Sequence, residues 1–270
     1  MQLVELQGRL EELRKSGMGV AAISYDPARV LEAFASQRGI TYPLLSDEGS
    51  AIIRRFGILN TTIPETHEWH GIPFPGTFIL NREGVVTARV FEEAYQERDT
   101  ISSVMVRLGG RLDRPATKIS APHIAITSYA SDAAAARGTR FSLVLDVVPE
   151  PKIHVYAPGA EGYRTIALKI HEQPGVVVRD AHYPESEIYH FKPLDEHVPV
   201  FQRPFRLVQD LMLDFSREGA AALRGKTSLT IEATLEYQAC DDTICYRPQS
   251  VPLSWTIAVK PLDTGRVNRQ

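Results

Sequence analysis

Between residues 141 and 259 the apolar side chains fall repeatedly on every second position, which restricts this half of the chain to β-sheet with one buried face. Phe141, Leu143, Leu145 and Val147 alternate with polar or smaller residues, as do Ile166, Leu168 and Ile170. Leu229, Ile231, Ala233, Leu235 and Tyr237 repeat the pattern, and so do Val251, Leu253, Trp255, Ile257 and Val259. Successive side chains of a strand point to opposite faces, so such runs between Pro- and Gly-rich turns predict an antiparallel sandwich over 122–262. Residues 220–223 add one helical turn.

Upstream the period changes. Leu3, Leu6, Leu10 and Leu13 recur at steps of three and four, one apolar stripe on a helix that Gly17 closes. Residues 19–25 read as a strand. Asp26-Pro27 reads as an N-cap with proline at the first helical position, and Val30, Leu31 and Phe34 face inward before Gly39. Residues 42–45 are strand-like, and Ser46-Asp47 opens a short helix that ends at Phe56-Gly57. Strands at 77–80 and 85–90 are joined by the turn Asn81-Arg82-Glu83-Gly84, and a last helix at 98–108 stops at Gly109-Gly110. Alternating helices and strands predict an α/β layer domain over 1–110. Residues 111–121, with mixed charge and Pro115, read as a linker, and 263–270 as a tail.

Composition narrows the partners. A net charge of −3 with scattered Lys and Arg gives no basic footprint for nucleic acid. No apolar run approaches the roughly 20 residues of a membrane span, and the first residues lack the features of a signal peptide. His67-Glu68-Trp69-His70 has two possible metal ligands. Ile63-Pro64 and Gly71-Ile72-Pro73 bracket them as a polar loop without a third ligand, so no metal or cofactor is expected.

The chain has two cysteines, Cys240 and Cys245, in the loop between two of the strong strands. Three readings compete. A structural bridge would close a very small loop and stabilise by only about 2 kcal/mol. A metal half-site lacks a second Cys or His pair. For a redox pair the local charges are suggestive: Tyr246 and Arg247 follow Cys245, and a nearby cation lowers a thiol pKa, whereas Asp241 and Asp242 beside Cys240 raise its own. That asymmetry suits a nucleophile at Cys245 and a resolving thiol at Cys240. The residues alone leave exchange and a plain disulfide equally open.

Two resemblances bear on this. Residues 3–25, Tyr42-Pro43-Leu44-Leu45-Ser46-Asp47 and Pro73-Phe74-Pro75-Gly76-Thr77-Phe78-Ile79-Leu80 resemble the AhpC/TSA redoxin branch of the thioredoxin fold, over about 1–110. The resemblance implies that Pro75 is the cis-proline beside that family's active site. It also implies a reactive cysteine at the start of the first long helix, where the helix dipole favours a thiolate. This chain starts inside that helix, so an N-terminally incomplete domain is expected, with Met1 an arbitrary start and a cysteine motif upstream. A peroxidase reading depends on that upstream cysteine.

The frame Tyr237-Gln238-Ala239-Cys240 through Cys245-Tyr246-Arg247-Pro248, then Val251-Pro252-Leu253, resembles the amino-terminal domain of the thiol:disulfide interchange protein DsbD family. Ile153-His154-Val155-Tyr156 and Ser186-Glu187-Ile188-Tyr189 match further segments, although the cysteines stand one residue closer together than in well-known members. This resemblance implies an immunoglobulin-like sandwich in the periplasm that takes electrons from thioredoxin-like domains and reduces disulfide-bearing partner proteins. Cys245 would form the mixed disulfide and Cys240 would resolve it. It also implies aromatic neighbours at His154 and Tyr156, and a shielding loop at either His182-Tyr183-Pro184 or Tyr189-His190-Phe191. The alternative is a non-catalytic interaction module with a structural bridge.

Overall fold

The computed structural model describes residues 2–15, 17–91, 98–191 and 195–261. The described residues divide into two compact units, one up to Ile101 and the other from Ser102 onward. The expected tail at 263–270 and the proposed start at Met1 lie outside the described residues.

The first unit holds α1 (Gln2–Gly8), α2 (Leu10–Lys15), β1 (Ala22–Ser24), α3 (Ala28–Arg38), β2 (Leu44–Ser46), α4 (Ala51–Arg55), β3 (Gly76–Leu80), β4 (Val86–Phe91) and β5 (Arg98–Asp99). The leucine stripe of the first helix does bury, although the helix breaks at Arg9. Leu10 packs with Ile40 and Tyr42, against which Leu3, Leu6 and Phe34 lean. The α3 helix starts one residue later than expected, with Pro27 as its N-cap, and Gly39 ends it in the left-handed region at φ 64°. Ahead of α4 the Asp47 carboxylate accepts the free amides of Ile52 and Ile53, at 3.1 and 2.8 Å. Strands β1 and β2 pair in parallel and β3 and β4 form the expected hairpin, but the two pairs belong to separate two-stranded sheets. Ile23, Leu45, Leu80 and Val86 on these strands remain exposed.

Two expectations are corrected here. No peptide bond among the described residues is cis, so the bond before Pro75 is trans. The helix near 101 does not belong to the first unit: α5 (Ile101–Arg107) runs into the second, where Val106 and Leu112 pack on Tyr129, Val144 and Val208. The supposed linker is likewise structured at its end, because residues 117–121 form a strand.

The second unit continues with β6 (Thr117–Ala121), β7 (Ile124–Ala130), β8 (Ala134–Ala136), β9 (Thr139–Pro149), β10 (His154–Tyr156), β11 (Ala167–Ile170), β12 (Val176–His182), β13 (Glu187–Phe191), β14 (Glu196–Phe201), β15 (Phe205–Leu213), α6 (Arg217–Ala222), β16 (Ser228–Tyr237), β17 (Ala239–Cys240) and β18 (Gln249–Lys260). One sheet has the order β12-β15-β9-β7-β6 and another β11-β16-β18-β8. Phe141, Leu143, Leu145, Leu207 and Leu211 of the first meet Ile231, Leu235, Leu253, Trp255 and Ile257 of the second in one core. Strand β16 alternates exposed and buried residues as its sequence requires. Strands β9 and β15 do not, because segment 102–112 covers their outer face. The expected turn near 220 is α6, capped by Ser216, whose hydroxyl accepts the Gly219 amide. A third sheet, β13-β14-β10-β17, carries the cysteines.

Candidate active site

Strands β16 and β18 pair along their whole length, so the chain between them must leave their sheet and return. On the way out β17 pairs with β10, which sets Cys240 opposite His154. The return is a tight turn built on Asp241. Its carboxylate accepts the amides of Thr243 and Ile244, each at 2.7 Å, and the Thr243 hydroxyl at 2.8 Å. These amide bonds, above all, hold the acid well below the ordinary carboxylate range. The Asp241 amide donates to the Ile244 carbonyl at 3.0 Å and the Tyr246 amide to that of Ala239 at 2.9 Å, so Cys245 comes to face Cys240. The two form a disulfide with their Cα atoms 4.2 Å apart.

The two sulfurs are placed unequally. Cys240 is 1% exposed, whereas Cys245, which also lines the pocket, is an exposed residue. Tyr156 reaches both: its hydroxyl stands 3.2 Å from Cys240 Sγ and 3.3 Å from Cys245 Sγ. Tyr163 stacks on the Tyr156 ring at 4.1 Å and donates its own hydroxyl to Glu196. Burial first, then the neighbouring Tyr163 and Glu196, push the Tyr156 phenol above its ordinary value, so it stays a protonated donor. Tyr189 donates to Asp242 at 2.7 Å, a bond that with burial raises its pKa to about 12. The His154 ring lies 4.4 Å from that of Tyr189 and is 3% exposed. Burial lowers its pKa against the opposing pull of Asp242 and Asp241, which keeps the ring neutral near pH 7.

His154, Tyr156, Tyr189 and Phe191 therefore line the pocket with both cysteines. Tyr183 does not. Strand β12 pairs with β15 in a different sheet, and Tyr183 at its end packs against the main core, so of the two loops only the one with Tyr189 and Phe191 reaches the pocket. Arg247 is exposed and outside the pocket walls. Asp241 and Asp242, expected to tune the thiols by charge, serve the turn and Tyr189 respectively; Tyr246 donates its hydroxyl to Asp241 at 3.0 Å. Tyr163, Glu196 and Val198 also belong to the site, and no local sequence signal marks them, since Tyr163 comes from the loop between β10 and β11 and the other two from β14. His67 and His70 lie in a run of turns. Among the described residues no three His, Cys, Asp or Glu side chains gather to hold a metal ion.

Comparison with known proteins likewise divides the chain in two. Residues 1–89 match the AhpC/TSA family, and residues 126–253 match the family described as thiol:disulfide interchange protein DsbD, N-terminal. Alkyl hydroperoxide reductase E of Mycobacterium tuberculosis is 30% identical over 100 residues, 36% of this chain and 61% of that protein. Alkyl hydroperoxide reductase C of Staphylococcus aureus is 34% identical over 91 residues, 32% of this chain and 44% of that protein. The chain thus spans less than two thirds of the curated relatives it matches. Among solved structures, the N-terminal periplasmic domain of ScsB from Proteus mirabilis aligns at TM-score 0.37 and 13% identity, covering 52% of this chain and 51% of that one. The reduced DsbD N-terminal domain of Neisseria meningitidis aligns at TM-score 0.30 and 11% identity, covering 43% and 81%. The chain therefore joins a region that matches the AhpC/TSA family to an all-β region that matches the DsbD N-terminal family and carries a disulfide.

Proposed function

We propose that the second unit passes electrons to partner disulfides through Cys240 and Cys245. The observation that carries this reading is the unequal burial of two bonded sulfurs in a pocket where one tyrosine hydroxyl reaches both. In the reduced protein the Cys245 thiolate attacks one sulfur of a partner disulfide. A Cys245–partner bond forms, the partner's own S–S bond breaks, and its second sulfur leaves as a thiolate. The Cys240 thiolate then attacks Cys245 Sγ, restores the internal disulfide and releases the partner's remaining thiolate. Two electrons have moved to the partner, and a thioredoxin-like dithiol returns them by the reverse exchange. Tyr156 stabilises whichever sulfur carries the negative charge.

Residues 1–239 contain no cysteine, so both thiols of this exchange belong to the second unit. An oxidising extracytoplasmic compartment suits a bridge that must re-form, and the ScsB domain similar to this unit is a periplasmic one. No helix among the described residues is long and apolar enough to cross a membrane.

The test is the reduction potential of the bridge in the full chain, measured by counting free thiols in graded thiol–disulfide buffers. A value above about −300 mV, with Cys240→Ser trapping a mixed disulfide at Cys245, is the expected result. A bridge that resists reduction until the fold melts defeats the proposal.

A further inference from the structure

A further contact to the cysteine loop comes from residues that do not line the pocket. Strands β6 and β7 are joined by the turn at Pro122-His123, which no motif marks. Two bonds fix it: the buried Tyr237 donates its hydroxyl to the Pro122 carbonyl at 2.7 Å, and the Glu150 amide donates to the His123 carbonyl at 2.9 Å. His123 itself sits in the left-handed region at φ 67°, a conformation that histidine, asparagine and aspartate adopt more readily than most residues. Held this way, its ring lies flat on that of Tyr246, with centroids 3.8 Å apart and planes 26° from parallel. On its other side His123 Nδ1 stands 3.4 Å from the Glu150 carboxylate.

Tyr246 follows Cys245 directly and is tied at three further points. Its hydroxyl donates to Asp241 at 3.0 Å, its carbonyl accepts the Gln238 side-chain amide at 3.0 Å, and its own amide donates to Ala239 at 2.9 Å. Asp241 is also the residue on which the turn between the cysteines is built. The stack on His123 thus bears on a side chain that ties the residue after Cys245 to that turn.

We propose that His123 is a positioning residue for thiol–disulfide exchange: by stacking on Tyr246 it holds Cys245 within reach of Cys240 and so sets how strongly the oxidised form is favoured. This rests on the exchange reading above. The reaction concerned is protein disulfide plus two glutathione thiols giving protein dithiol plus glutathione disulfide, a two-electron exchange in which the Cys240–Cys245 bond breaks and one S–S bond forms in glutathione. A clamp that keeps the two thiols together raises their effective concentration toward each other and favours the disulfide side. Losing it favours the dithiol.

The experiment compares the full-length wild type with His123→Asn, Tyr246→Leu and the double variant in glutathione redox buffers. Asparagine keeps the left-handed turn and removes the ring. The expected result is a shift of about 3- to 10-fold toward the dithiol in His123→Asn, the upper end corresponding to about 30 mV. The double variant should move no further than the larger single shift, because both substitutions break one contact. Melting temperatures measured alongside separate a change of potential from a loss of fold. Equal potentials in wild type and His123→Asn, or shifts that simply add, overturn the clamp while leaving exchange intact. A wild-type bridge that stays oxidised until the protein unfolds overturns both.

Discussion

The hydroxyl of Tyr156 lies 3.2 Å from the sulfur of Cys240 and 3.3 Å from that of Cys245, so one donor reaches both ends of the bond that exchange must open. A hydrogen bond to a charged partner contributes about 1.5–3 kcal/mol, and one pKa unit is about 1.4 kcal/mol. In Tyr156→Phe the pKa of the attacking thiol should therefore rise by about one to two units. Alkylation of the reduced protein by iodoacetamide across pH 5 to 10 reads this directly; an unchanged profile removes Tyr156 from the chemistry.

The bridge itself should matter little to the fold. Its short loop yields about 2 kcal/mol in the chain-entropy model, which for a unit of this size is a fall in melting temperature of about 4–8 °C. Calorimetry on the Cys240→Ser, Cys245→Ser double variant tests it. A loss several times larger would mark the disulfide as a structural staple.

Asp210 provides a pH-dependent prediction away from the cysteines. It is 1% exposed, accepts the Ser142 hydroxyl at 2.6 Å, and pairs with Arg107 at 3.0 Å and His182 at 3.1 Å. Burial alone would raise its pKa, but the bonds from His182, Arg107 and Ser142 outweigh burial and hold it below the usual value of 3.8. A depressed folded pKa contributes stability that is full above the unfolded value and is lost as pH falls through the folded one. Asp210→Asn should thus cost about 3 kcal/mol at pH 7. Urea titrations should find the gap to wild type narrowing only below about pH 4.

The two units should also differ in local stability. Isolated two-stranded sheets are marginal in water, and β1–β2 and β3–β4 are of that kind, with apolar residues left exposed. Strands β7, β9 and β15 lie inside a larger sheet with both faces of β9 and β15 covered. Hydrogen exchange should therefore protect the amides of β9 and β15 at least about a hundredfold more than those of β1 and β3. Equal protection would mean that the first unit has a sheet partner not represented in its two strand pairs.

Much of the second unit was legible because its physics is local. Leu229 to Tyr237 alternate, and alternate residues of a strand must share a face, so β16 and its buried side follow from spacing alone. Strand β15 was not legible. Phe205-Arg206-Leu207-Val208-Gln209-Asp210-Leu211-Met212-Leu213 is buried on both faces, and its outer cover comes from residues about a hundred positions earlier. The sequence places the helix expected at 98–108 in the first domain for the same reason: its apolar side has no address until Val144 and Val208 are in place.

What the sequence determined by itself was a two-part chain, a sandwich in the second part, and one pair of cysteines, Cys240 and Cys245, among its 270 residues. Composition, period and the count of cysteines suffice for these, since none depends on which distant residues meet. Tertiary structure decided which aromatic residues enclose the sulfurs. Glu187–Phe191 pairs with Glu196–Phe201 beside β10, so Tyr189 and Phe191 turn to the pocket, whereas β12 pairs with β15 and leaves Tyr183 at its end against the main core. It decided the unequal exposure of Cys240 and Cys245, and the stack of His123 on Tyr246. Each of these depends on strand register, which hydrogen bonding and burial set between segments far apart in the chain, and a shift of one residue would turn every side chain to the opposite face.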